Sequence, residues 1–156
     1  MTKSKSTTSQ EYNSSNSDEV LGRTHITGYQ GWPPPVQTLE HLLVFADFVK
    51  SNIKAKTILD LGCGDGAIAR IIAEQNPNKQ ITAVDLEPHP QWKIKPPKNL
   101  KFMASSIYNL PFKPKSFDAV MLKDVLHHVP NPEEVKPTIK SLAKNQVLVI
   151  ECNRYN

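Results

Sequence analysis

The stretch Thr57-Ile58-Leu59-Asp60-Leu61-Gly62-Cys63-Gly64-Asp65-Gly66 decides the fold, because a short apolar run delivers an acidic residue and alternating glycines to the start of a helix. Lacking Cβ atoms, Gly62, Gly64 and Gly66 reach backbone angles closed to other residues and let main chain approach a ligand closely. Residues Ala67 to Gln75 follow as a helix whose first N–H groups face that turn. A second apolar run, Ile81-Thr82-Ala83-Val84, ends at Asp85. That is about 20 residues beyond the glycines, the spacing at which dinucleotide folds place a ribose-binding carboxylate. In register, the two features read as a nucleoside-binding turn.

Outward from this core, strands and helices alternate. Strands are expected at 56–61, 80–85, 100–104, 118–123 and 146–151, and helices at 66–76 and 132–144. Val36, Leu39, Leu42, Leu43, Ala46 and Val49 recur at three- and four-residue intervals, which predicts a helix from Val36 to Ser51 with one buried face. Alternation of this kind implies a parallel sheet covered by helices. Pro88, Pro90, Pro96 and Pro97 make the segment between the second and third strands an irregular crossover. Asn131-Pro132-Glu133-Glu134 predicts a helix start with Asn131 as N-cap and Glu134 reaching back to it, and Pro137 should distort that helix early.

The chain has 156 residues, 38% hydrophobic and 22% charged, which suits one soluble globular domain. Residues 1–19 are rich in Ser, Thr and Asn and are expected to be a disordered tail. Residues 20–35, with Tyr29, Trp32 and Pro33-Pro34-Pro35, form an entry segment that either closes over the site as a lid or covers the sheet. No apolar stretch reaches the roughly 18 residues of a membrane span and no signal-peptide pattern is present, so a cytoplasmic location is expected. Cys63 and Cys152 suggest free thiols, and no His and carboxylate spacing suggests a metal site. The formal charge of +4 is mild. Lys93, Lys95, Lys98 and Lys101, with Lys113 and Lys115 nearby, read as a solvated loop in preference to a nucleic-acid surface.

Gly62-Cys63-Gly64-Asp65-Gly66-Ala67 alone also fits a loose G-x-G-x-x-A dinucleotide fingerprint, so an NAD(P)-binding oxidoreductase stays open on the glycines. More residues point elsewhere. Asp60-x-Gly62-x-Gly64-x-Gly66 resembles motif I of the class I S-adenosylmethionine-dependent methyltransferases. Asn109-Leu110-Pro111-Phe112, Ser116-Phe117-Asp118-Ala119-Val120 and Val125-Leu126-His127-His128-Val129-Pro130 resemble that superfamily's third-strand loop, fourth strand and following element, in its small-molecule branch. The resemblance covers residues 36–151. It implies an α/β Rossmann-like parallel sheet with flanking helices, S-adenosylmethionine as cofactor and a small-molecule acceptor.

By that resemblance Asp60 orders the turn, while Gly62, Cys63 and Gly64 line the methionine portion of the cofactor. Asp85 takes the ribose hydroxyls, a role suited to a carboxylate with only acceptor oxygens. Leu86 and Ile107 meet the adenine, and Lys123 borders the pocket. Many relatives carry an Asp in the loop after the third strand where this chain has Ser106. Asp124, His127 and His128 are the candidate catalytic groups, because ligands in open α/β sheets bind outside the carboxyl ends of the strands and His exchanges protons near neutral pH. Against these stand plainer roles. Asp60 and Asp85 could cap strands, the histidines could pack locally, Cys63 could fill space, and Asp118 is expected to fix the turn Lys115-Ser116-Phe117.

Seven strands complete the family's sheet, whereas about five are expected in this sequence, as for a fragment of a longer protein or a chain that covers its last strand with a partner. The run Gln146-Val147-Leu148-Val149-Ile150-Glu151 would then be an apolar edge open to self-association or a protein partner. An inert cofactor-binding or interaction module of the same fold is the alternative function.

Overall fold

A computed structural model describes residues 39–151 of the chain. The predicted tail, the entry segment with Tyr29 and Trp32, the helix start at Val36 and Cys152 lie outside the described residues. Five parallel strands, β1 (Thr57–Leu61), β2 (Gln80–Asp85), β3 (Leu100–Ala104), β4 (Phe117–Lys123) and β5 (Ala143–Ile150), form one sheet in the order β3-β2-β1-β4-β5. Helices α1 (Leu39–Asn52), α2 (Ala67–Gln75) and α3 (Pro132–Leu142) cover it, so the α/β Rossmann-like expectation holds.

Strand side chains alternate between faces. Leu59, Leu61, Val84, Val120 and Leu122 meet Val135, Ile139 and Leu142 of α3 in one buried cluster. Ile58, Ala83, Ala119 and Met121 are the intervening buried positions. Burial on both faces is why these strands read as nearly continuous apolar runs, and each fully buried Leu or Ile contributes about 1.5–3 kcal/mol. On α1 the buried residues are Leu42, Phe45, Ala46 and Val49, with Leu43 half-buried, so the inner stripe is rotated slightly from the predicted one.

Asp118 does not fix the Lys115-Ser116-Phe117 turn. Its Oδ2 accepts from the N–H groups of Lys56 (3.1 Å) and Thr57 (3.0 Å), its Oδ1 accepts from Lys144 Nζ (3.0 Å), and its own N–H donates to Thr57 Oγ1 (2.8 Å). It thereby joins the starts of β1 and β4. The Lys144 ammonium, followed by the Thr57 N–H, holds its carboxyl well below the usual carboxylate range.

One local expectation at α3 also fails. The Asn131 side chain makes no capping bond, and its N–H donates to the Tyr108 hydroxyl (3.3 Å), so Glu134 has no donor to reach back to. Pro137 stands inside α3, which runs on to Leu142. β5 starts at Ala143, three residues before the predicted 146, because Ala143 pairs with Phe117 across a register shift. Lys115 completes that corner, its N–H donating to Ser141 O (2.7 Å) and its Nζ to Ala143 O (2.9 Å). No described helix is long and apolar enough to cross a membrane.

Candidate functional site

The carboxyl ends of β1 to β4 converge on a cleft of about 350 Å³ lined by Gly62, Asp85, Leu86, Ser106, Ile107, Asp124 and His128 of the predicted site, together with Leu61, Val84, Ser105, Tyr108, Val125, Val129 and Pro130. Its volume lies at the lower end of small-molecule sites. Asp60, Cys63, Gly64, Lys123 and His127 do not line it.

The glycine loop owes its shape to three left-handed residues, Gly62 (φ 79°), Gly64 (φ 55°) and Gly66 (φ 83°). A Cβ on Gly62 would lie 2.3 Å from Val125 Cγ2, and one on Gly66 would lie 2.3 Å from the Phe102 ring, whereas one on Gly64 would meet nothing within 4 Å. The loop is thus wedged at both ends with open space at its middle. Val84 O anchors it by accepting the N–H groups of Gly62 (2.7 Å) and Cys63 (3.1 Å). Asp65 Oδ1 accepts the Ala67 N–H (2.9 Å) and so closes the start of α2 with a side chain. Burial, then the Asp60 and Asp85 charges, push the Cys63 thiol far up, which makes it a poor nucleophile and fits the space-filling reading.

Asp85 is half-buried at the end of β2. Its Oδ2 accepts the Gly64 N–H (2.7 Å) and its Oδ1 accepts the Leu86 N–H (2.7 Å). Each oxygen keeps a lone pair, so a vicinal diol entering the cleft has two acceptors side by side. Leu86, Ile107, Val129 and Pro130 give apolar walls. Ser106 Oγ accepts the Tyr108 N–H (3.2 Å) and keeps its hydroxyl hydrogen for another partner.

Asp60 sits in β1 behind the loop, 4% exposed. Burial, then the Asp85 charge, raise its pKa from 3.8 to about 7. Folding therefore favours the protonated form, a contribution fully present below pH 4 and lost as pH rises through 7. Asp60→Asn keeps the shape without the charge. The variant should exceed the wild type in urea-denaturation stability by on the order of 4 kcal/mol above pH 8, and the two should converge near pH 4. Parallel stability curves over that range would refute the shift.

After β4 the chain turns at Asp124, which holds a left-handed φ of 54°. The Asp124 carboxylate pairs with Lys123, whose Nζ also lies 5.8 Å from the Phe45 ring centroid. Glu151 was not foreseen. Its Oε1 accepts the N–H groups of Val125 (3.0 Å) and Leu126 (2.8 Å), and its Oε2 lies 2.6 Å from His127 Nδ1. Burial alone would raise the Glu151 carboxyl, but the hydrogen bonds from His127, Leu126 and Val125 together hold it below its usual value. Glu151 thus ties down the 3₁₀ turn Leu126–His128 and engages His127, leaving His128 exposed on the cleft wall. An acidic residue ending an apolar strand was the available signal, but its partners lie 24–26 residues away.

The Methyltransferase domain family profile matches residues 59–150. Methyltransferase str3 of Strobilurus tenacellus is 40% identical over 88 residues, 56% of this chain and 31% of its own length. The ubiquinone biosynthesis O-methyltransferase of Dechloromonas aromatica is 31% identical over 111 residues, 66% of this chain and 47% of its own length. The crystal structure of the plantazolicin methyltransferase BpumL, in complex with a pentazolic desmethylPZN analog and SAH, superposes with a TM-score of 0.61 at 22% identity, over 90% of this chain and 52% of that one. The chain spans half or less of the length of these curated relatives. The fold is shared with BpumL, and the glycine turn, Asp85 and the element after β4 all fall inside the matched segment. The chain belongs to the class I S-adenosylmethionine-dependent methyltransferases.

Proposed function

We propose that residues 36–156 form the S-adenosylmethionine-binding domain of an enzyme that methylates a small-molecule acceptor. The observation that carries this reading is the meeting of Gly62, the Asp85 acceptors and the His128 ring on one apolar-walled cleft. The residues present fit the cofactor's chemistry, since Asp85 would take a ribose diol, Leu86 and Ile107 would pack on an adenine, and Gly62 would lie beside the methionine portion. When bound, S-adenosylmethionine supplies a methyl group already activated on a sulfonium.

The protein's task is then position and exclusion of water. Asp85 would orient the ribose, Gly62 would lie along the methionine portion, and the apolar walls of Leu86, Ile107, Val129 and Pro130 would exclude water. His128 stands where an acceptor's proton can be taken up. Asp124 neutralises Lys123, and His127 is engaged by Glu151, so among the three acid–base candidates His128 is the exposed one lining the cleft. The relatives' names, an O-methyltransferase among them, support a small-molecule acceptor.

Calorimetric titration with S-adenosylhomocysteine, with NAD in parallel, tests the reading. Saturable heat from S-adenosylhomocysteine and none from NAD is expected. NAD binding without S-adenosylhomocysteine binding would return the glycine turn to the dinucleotide reading.

A further inference from the structure

The Pro-rich crossover between β2 and β3 is pinned to the glycine loop by a cluster that the cofactor site does not use. Arg70 of α2 is 3% exposed. Its guanidinium donates to three crossover carbonyls, Ile94 O (2.7 Å), Gln91 O (2.9 Å) and Lys95 O (3.3 Å). The same guanidinium lies 5.2 Å from the Phe102 ring centroid, and Phe102 stacks on Trp92 with centroids 5.1 Å apart and planes 10° from parallel. Trp92 belongs to the 3₁₀ turn Pro90–Lys93, so Arg70 holds both the backbone of that turn and, through Phe102, its indole.

At the end of this stack the Trp92 indole N–H donates to Gly64 O at 3.0 Å. Gly64 donates its own N–H to Asp85 Oδ2 at 2.7 Å, so this one residue is held from both ends. Three glycines close together lose more conformational freedom on ordering than any other residues would. A loop ordered before ligand arrives spares the complex that cost. Stacking on Phe102 asks for an aromatic ring and nothing more, whereas a donor aimed at Gly64 O asks for an indole.

We infer that Trp92 is a positioning residue, whose indole N–H fixes the Gly64 carbonyl and holds the glycine loop in its ligand-receiving form. The inference rests on the cofactor reading above. Trp92→Phe keeps a ring for Phe102 and removes the N–H. Calorimetry should show S-adenosylhomocysteine binding weakened about three- to tenfold, the range of one lost hydrogen bond, with the melting temperature nearly unchanged. A second readout uses the wild type, in which the Trp92 indole N–H resonance, identified as the one kept by Trp32→Phe, should shift on saturation with S-adenosylhomocysteine. That resonance decides the matter if Trp92→Phe melts early. Equal affinity in a stable Trp92→Phe, or an unmoved resonance, would overturn the inference and leave the cofactor reading intact. A wild type that does not bind S-adenosylhomocysteine would overturn both.

Discussion

Gly66→Ala should destabilise the protein by about 2–4 kcal/mol, against about 1 kcal/mol for Gly64→Ala. Both positions hold left-handed φ angles, 83° and 55°, so both variants carry the backbone strain of an L-residue there. They differ in space. A Cβ on Gly66 would lie 2.3 Å and 2.5 Å from Phe102 Cε1 and Cζ, while one on Gly64 would meet nothing within 4 Å. Phe102 cannot swing aside freely, because Trp92 stacks on its ring and Arg70 lies over it. Crowding of that kind costs about 1–3 kcal/mol beyond the strain. Urea denaturation of the two variants, at equal slope, isolates the difference. Equal midpoints would mean that the ring yields and that the Phe102 contact sets nothing.

Where signals are local, the sequence already carries this architecture. Three apolar runs bounded by polar or glycine residues became β1, β2 and β3 within a residue of the expected limits. The left-handed turn follows from Gly62, Gly64 and Gly66, since no other residue type repeats so readily there. What escaped was decided by partners distant in the chain. Ala143-Lys144-Asn145 is not an apolar run, and it enters β5 because Ala143 meets Phe117. Asp118 turned to β1, more than 60 residues away, and not to its own turn. A capping box at Asn131 was plausible until the Tyr108 hydroxyl took the N–H that Glu134 would have needed.

The same division runs through the candidate site. Gly62 and Asp85 stand on the cleft because each directly follows an apolar strand position, Leu61 and Val84, that pair in register. The adjacent histidines could not be told apart by sequence, since Glu151, which engages His127, arrives only with the end of β5. Arg70 and Trp92 left faint signals, a cation among the apolar residues of α2 and an indole in a polar, Pro-rich crossover. Neither has a motif, and their meeting depends on how the crossover folds back.

Asp85→Ala should weaken S-adenosylhomocysteine binding by about 2–3 kcal/mol, roughly 30- to 150-fold, while changing the stability of the free protein little. Two losses combine in the affinity. The ribose hydroxyls lose charged acceptors, and the Gly64 N–H loses the Oδ2 that holds it at 2.7 Å. Stability is spared because the Gly64 and Leu86 N–H groups are exposed enough to turn to water, and because the Asp85 charge is the second cause raising Asp60. Removing that charge lets Asp60 ionise nearer its usual pH, which offsets part of the lost hydrogen bonding above pH 7. Asp85→Asn keeps one acceptor oxygen and should fall between, at about tenfold. Calorimetry on the three proteins at one pH separates the contributions. If Asp85→Ala binds as tightly as the wild type, the ribose is held elsewhere and Asp85 serves the loop alone, whereas graded weakening through Asn to Ala places the diol on its carboxylate.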